Sequence, residues 1–168
     1  MDPPLTNWDR LVRTHSSIVT SAALRVLGRV ADAEDVAQEV FLEAFRKWSP
    51  HEIHAWAGLL RRMAVCRALD LLRTRQKTES LEFLPVDLRA VDPSEALIKQ
   101  ERHRLLRAGV ASLPPRESEV FCLACFEQLS HEEIADALHI TRSAVAVFLS
   151  KAKTHLTEMF QPLPGDPK

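Results

Sequence analysis

Glycine is scarce in this chain. Four glycines among 168 residues leave little scope for the loops, built on several glycines, that cradle dinucleotides or phosphates. Cysteine is nearly as rare, and Cys66, Cys122 and Cys125 build no disulfide framework and fit a reducing, cytoplasmic setting. No apolar run approaches the roughly 18 residues of a membrane-spanning helix, so direct membrane insertion is not expected. The opening MDPPLTNWDR lacks the basic-then-apolar pattern of a secretory signal. An excess of one charge is missing too: 22 Lys+Arg stand against 23 Asp+Glu. Global charge therefore does not mark a nucleic-acid binder, and any such case must rest on local patches. Ser-His-Asp, paired-carboxylate and phosphate-loop arrangements are all wanting, and the seven histidines are scattered. No enzyme, cofactor or metal is expected.

What remains is a globular composition, 46% apolar and 27% charged. Its length suits one ordinary domain or two small ones. Prolines cluster at 3–4, 50, 85, 93, 114–115 and 162–167, and the stretches between them are the helix candidates. No segment keeps a period of two, so the reading is all-α. A first helix is expected over 6–27, with Trp8, Leu11, Val12, His15, Ile18, Val19, Ala22 and Val26 on one face and Gly28 as its stop. Asp32 is expected to cap a second helix whose core face is Val36, Ala37, Val40, Phe41, Ala44, Phe45 and Trp48. A third spans about 53–75, and these three close one small core. Residues 78–93 read as an acidic linker. A fourth helix starts near Ser94, leading into a second core. Pro114-Pro115 opens one helix of it, Ser130-His131-Glu132-Glu133 is a capping box for the next, and Thr141 caps the last, about 142–160.

The most specific local signal lies between Glu132 and Leu149. Ile134, Ala135, Leu138, Ile140, Val145 and Phe148 have the spacing of a helix-turn-helix, with Ala135 small enough for two helices to cross and Ile140 plugging the turn. An ordinary helical hairpin obeys the same packing rules. His139 stands where the turn usually takes glycine. The outward face of the second helix is then Thr141, Arg142, Ser143, Ala146, Val147, Ser150 and Lys151. Ala146 and Val147 cannot hydrogen-bond a base edge, although they can touch a thymine methyl; Arg142 and Lys151 suit phosphates.

The ordered motifs identify the chain as resembling a bacterial RNA polymerase sigma factor of the extracytoplasmic-function (ECF) type, within the sigma-70 family. Asp32-Ala-Glu-Asp-Val-Ala-Gln-Glu-Val-Phe-Leu-Glu-Ala-Phe-Arg46 is similar to the family's region 2 polymerase-binding helix. Trp56 to Arg75 is similar to its promoter-contacting helix. Leu113-Pro-Pro-Arg-Glu-Ser-Glu-Val-Phe121 with Leu129-Ser-His-Glu-Glu-Ile-Ala135 is close to the opening of region 4. The resemblance implies two small helical domains: a three- to four-helix region 2 bundle (5–77) and a region 4 helix-turn-helix (94–161), joined by the acidic linker. It implies core RNA polymerase, promoter DNA and an anti-sigma protein as partners.

Asp35, Gln38, Glu39 and Leu42 form a stripe at i, i+3, i+4 and i+7. By resemblance it docks on the clamp helices of the polymerase β′ subunit, with the β subunit a further partner. Residues 53–78 hold Arg61, Arg62, Arg67, Arg73, Arg75 and Lys77 against Asp70 alone, a local charge of +5 that fits phosphate contacts near a −10 element. Residues 47–55, with His51 and His54, fall where the family captures an unstacked base. Thr141, Arg142, Ser143, Ala146, Val147, Ser150 and Lys151 would face a −35 element. Two departures stand out. Cys66 replaces a common asparagine, and Ala146 and Val147 replace residues usually polar or basic. The apolar recognition face keeps one alternative open, a sigma-like adaptor without promoter readout; a free-standing helix-turn-helix regulator, which would need tight promoter binding alone, is another. Cys122-Leu-Ala-Cys125 sits in an apolar stretch, where two buried small hydrophobes are the expectation rather than a redox or zinc motif.

Overall fold

The computed structural model describes residues 4–47, 56–79 and 95–160. In chain order they form α1 (Pro4–Leu27), α2 (Val30–Arg46), α3 (Trp56–Glu79), α4 (Glu95–Ser112), α5 (Pro115–Phe121), a π-turn (Cys122–Phe126), α6 (His131–Leu138) and α7 (Arg142–Phe160). No strand occurs among the described residues. The bulk of the acidic linker and the 48–55 loop with His51 and His54 lie outside them.

Most local signals produce the expected ends. Gly28 takes φ +73° and its N–H donates to the Leu24 carbonyl at 2.7 Å, closing α1. Pro115 stands in the first turn of α5. Ser130 and Glu133 form the capping box of α6. The Ala144 N–H donates to Thr141 Oγ1 at 3.1 Å and so caps α7.

Asp32 behaves differently. α2 begins two residues earlier, at Val30, after an extended Arg29 that contributes no side-chain cap. Asp32 therefore sits in the first turn, buried, and its carboxylate serves a tertiary pair instead of a backbone cap. α3 also runs past its expected end, to Glu79, so the chain is still helical where the sequence pattern places the start of the linker.

The sequence pattern suggests two separate cores; the structure has one continuous core. α3 is its axis. It packs on α1 and α2 on one side and meets α4, α5 and α6 on the other. Leu60, Ala64, Val65, Ala68 and Leu69 are fully buried along it, in one cluster with Val19, Val26, Val40, Val120, Leu123, Ile134 and Val145. Each fully buried Leu or Val contributes roughly 1.5–3 kcal/mol. The alanines let neighbouring backbones come close.

The π-turn explains the cysteines. The Glu127 N–H donates to the Cys122 carbonyl, five residues back, at 3.1 Å. The wider turn spaces its side chains by less than the roughly 100° of an α-helix, so residues three apart share a face less closely. Cys122 stays buried while Cys125 emerges exposed, so only one of the two behaves as the buried hydrophobe the sequence suggests.

Candidate polymer-binding surfaces

α2 separates its faces cleanly. Val36, Ala37, Val40 and Ala44 are buried, whereas Asp35, Gln38, Glu39 and Leu42 are outward-facing, with Leu42 59% exposed. A leucine so exposed on a helix otherwise well patterned is an uncovered apolar contact. Phe45, expected in the core, is 46% exposed and lies edge-on to Trp8, with ring centroids 5.1 Å apart. It extends the Leu42 end of the stripe. The result is an acidic and amide row with an apolar margin, which suits a partner that is basic and partly apolar.

The five arginines of α3 are less available than their count implies. Arg75 clamps the Asp32 carboxylate with both guanidinium nitrogens, Nη2 reaching Oδ1 at 2.6 Å, and Arg29 approaches the same group at 3.6 Å. The Arg75 hydrogen bonds hold the Asp32 carboxyl below the usual carboxylate range, against the opposing effect of burial. Arg67 donates to Glu43 at 2.9 Å, alongside Lys47 at 2.6 Å. Those two bonds, that from Lys47 first, likewise lower the Glu43 pKa. Arg73 donates to Ser118 Oγ on α5 and pairs with Asp70 at 3.5 Å. Arg61 approaches Glu127 at 3.8 Å. Arg62 makes no ion pair among the described residues. It lines a groove with Glu43, Lys47, Trp56, Met63, Cys66 and Asp70. Because α3 is packed on several sides, its long side chains reach sideways to neighbouring elements, their stems covering apolar surface.

The helix-turn-helix forms as expected. Ile134, Ala135, Leu138 and Val145 are buried, and Ile140 and Phe148 are half-buried. His139 adopts the left-handed conformation, φ 54°, and the Ile140 N–H returns to the Ala135 carbonyl at 3.0 Å. Thr141, Arg142, Ser143, Ala146, Val147, Ser150 and Lys151 are all exposed along α7. Val147 is 51% exposed, so the middle of this face is apolar. Arg142 pairs with Glu132 at 3.0 Å, but both side chains are about 70% exposed and the pair holds it weakly.

The thiols are poor candidates for nucleophile or ligand. Burial, helped by the negative charge of Glu119, pushes Cys66 up to about 12, and burial also pushes Cys122 and Cys125 up.

Sequence reasoning missed the contacts that join the two halves. Arg25 Nη1 meets Glu127 Oε1 at 2.7 Å, across 102 positions of sequence. Gln76 donates to the Ala108 carbonyl at 3.3 Å. Within the C-terminal half, buried Glu117 meets His155 Nδ1 at 2.7 Å. None of these pairs has a local spacing that could announce it.

Comparison with known proteins places these surfaces in context. The family model described as Sigma-70 region 2 matches residues 11–78, and that described as Sigma-70, region 4 matches residues 103–156. The ECF RNA polymerase sigma factor SigE of Mycolicibacterium smegmatis is 32% identical over 159 residues, covering 92% of this chain and 62% of the relative. The RNA polymerase sigma-E factor of Streptomyces coelicolor is 28% identical, over 90% of this chain and 84% of its own. The ferric citrate uptake sigma factor FecI of Escherichia coli is 28% identical, over 88% and 87%. Among solved structures, CnrH in complex with the cytosolic domain of CnrY matches with a TM-score of 0.59 at 19% identity, over 93% of this chain and 88% of that one. At that identity the match speaks for the fold alone.

Proposed function

Since this chain belongs to the sigma-70 family, with ECF sigma factors as its relatives, we propose that it is a transcription initiation factor: it binds core RNA polymerase and directs it to promoters. The observation that carries the reading is the α2 stripe. Asp35, Gln38, Glu39 and Leu42 stand together on the face opposite the core, at the positions where the resemblance puts polymerase docking. In this reading α2 seats on the β′ clamp helices and the β subunit adds contacts elsewhere. Arg61, Arg62, Arg67, Arg73 and Arg75 act at the −10 element. Thr141, Arg142, Ser143, Ala146, Val147, Ser150 and Lys151 act at the −35 element. The domains are 5–77 and 94–161, with 78–93 as the acidic linker between them.

Affinity for DNA is divided between two modest surfaces, so polymerase supplies the tether that makes them act together. An anti-sigma protein is the proposed regulator; CnrH, the structural relative, is seen with the cytosolic domain of CnrY. No described helix is long and apolar enough to cross a membrane. The proposed site of action is the cytoplasm, beside the polymerase. The proposed role needs no catalytic residue.

Mapping transcript starts tests this directly. Purified chain, core polymerase and a promoter library are combined, and starts that depend on the chain are expected at a shared motif. A chain that ignores core polymerase overturns the reading. One observation favours a second reading, the adaptor: the central recognition face, Ala146 and Val147, offers no hydrogen-bonding side chain. Polymerase binding without initiation would select it.

A further inference from the structure

The seam between the halves contains a polar cleft of about 180 Å³, lined by Ser17, Ile18, Ser21, Arg25, Arg61 and Glu127. Two guanidiniums approach one carboxylate there, whose side chain is only 3% exposed, and Ser17 and Ser21 line the same cleft. The fit is uneven. Arg25 makes a short charge-assisted bond to Oε1 at 2.7 Å. Arg61 Nε is 3.8 Å from Oε2, too far for a hydrogen bond, and it is a buried donor with no acceptor. Burying an unmet donor is costly, and most such groups in native proteins have a partner. A carboxylate has two oxygens in one plane and satisfies Arg25 first. A phosphate is tetrahedral and larger, and its oxygens can meet both guanidiniums at once.

We propose that Arg25 and Arg61, with Ser17 and Ser21 beside them, form an anion site. Glu127 fills it in the closed chain, and a backbone phosphate of DNA takes it when the C-terminal half swings away. Arg61 lies on α3, the helix that carries the other candidate DNA-facing arginines. Glu127 is thus an internal competitor: it marks the closed state and lowers the affinity of the free chain for DNA. Arg73, held by Ser118 of α5, is released by the same movement. Apolar surface is uncovered as well, so the closed form dominates until polymerase or DNA offsets that cost.

The site rests on the DNA-binding part of the proposed function, and the test separates the two. Binding of a fluorescein-labelled mixed-sequence DNA duplex is followed by anisotropy at several salt concentrations. Glu127→Gln removes the competing charge with little change of shape, and tighter binding is expected, with about tenfold as the ceiling if the closed form holds roughly nine chains in ten, because the apolar contacts of the seam remain. Adding Arg61→Gln to E127Q should abolish that gain and lower the salt slope by about one. Wild-type affinity in E127Q, or a gain that survives loss of both Arg25 and Arg61, overturns the proposal. Should E127Q fail to fold by circular dichroism, Arg61→Gln alone serves, and an unchanged salt slope is then the overturning result. Core-polymerase capture on the same samples keeps the questions apart. Loss of capture in the wild type sinks the initiation-factor reading, whereas intact capture with no gain in E127Q sinks only the anion site.

Discussion

On α2, Asp35, Gln38, Glu39 and Leu42 face solvent and make no ion pair among the described residues. On α3, Arg61, Arg67, Arg73 and Arg75 each reach a neighbouring element or turn. Both helices carry a charged row, and counting charges along the sequence rates α3 the stronger interface. Position in the fold reverses that ranking for the free chain. α2 lies at the edge of the bundle with one face open, and α3 lies at its centre with neighbours on several sides. A helix at the centre binds its own protein first, and its charges become available only when those neighbours move.

The largest expected effect tests the central position of α3. Leu69 is fully buried, and Leu69→Ala is expected to cost about 2–5 kcal/mol. In urea, both halves should unfold in a single lower transition. Two separate transitions would show that the core is not shared. Next is Arg75→Ala, which leaves Asp32 buried beside Arg29 alone. A loss of about 2 kcal/mol is expected, reduced from the fully buried case because Arg75 is 31% exposed. Asp32 and Glu43 both have lowered carboxyl pKa values in the fold. Their stabilisation is complete above the ordinary carboxylate pKa values of about 4 and is lost as pH falls through the lower folded values. Asp32→Asn should therefore flatten the acid side of a pH–melting curve, and an unchanged acid limb would contradict the pairing.

The α2 side of the comparison is sharpened by the triple change Asp35→Ala, Gln38→Ala, Glu39→Ala. Stability should move by less than about 0.5 kcal/mol because the positions are exposed. Core-polymerase affinity, read by pull-down or anisotropy, should fall about tenfold. Unchanged affinity together with unchanged stability would make the stripe an ordinary solvated face. The smallest effect belongs to α7. Lys151→Ala should lower the salt slope of DNA binding by about one and weaken all sequences alike. A loss confined to certain promoters would give Lys151 a role in reading bases.

Much of this molecule was legible because its signals are local. The capping box Ser130–Glu133, the Thr141 cap and the i, i+3, i+4, i+7 stripe on α2 depend only on residues within two turns of one another. Asp32 shows where locality misleads. An aspartate preceding an apolar row reads as a cap, but Arg75, 43 positions away, takes its carboxylate, and the helix starts earlier. The π-turn is a second case. A CxxC in an apolar stretch keeps both thiols on one face only if the helix is regular, and in the wider π-turn Cys122 is buried and Cys125 exposed. Glu127 had no readable role at all, since Arg25 and Arg61 reach it from elements that only the tertiary fold brings near.

The shared core has a practical corollary for anyone who cuts this chain in two. Expressed alone, a fragment with only α5, α6 and α7 would present to water the surfaces that α3 now covers, and self-association and poor recovery should result. In the proposed opened state that surface needs a cover, and the proposed polymerase partner would have to shield it as well as steer the chain.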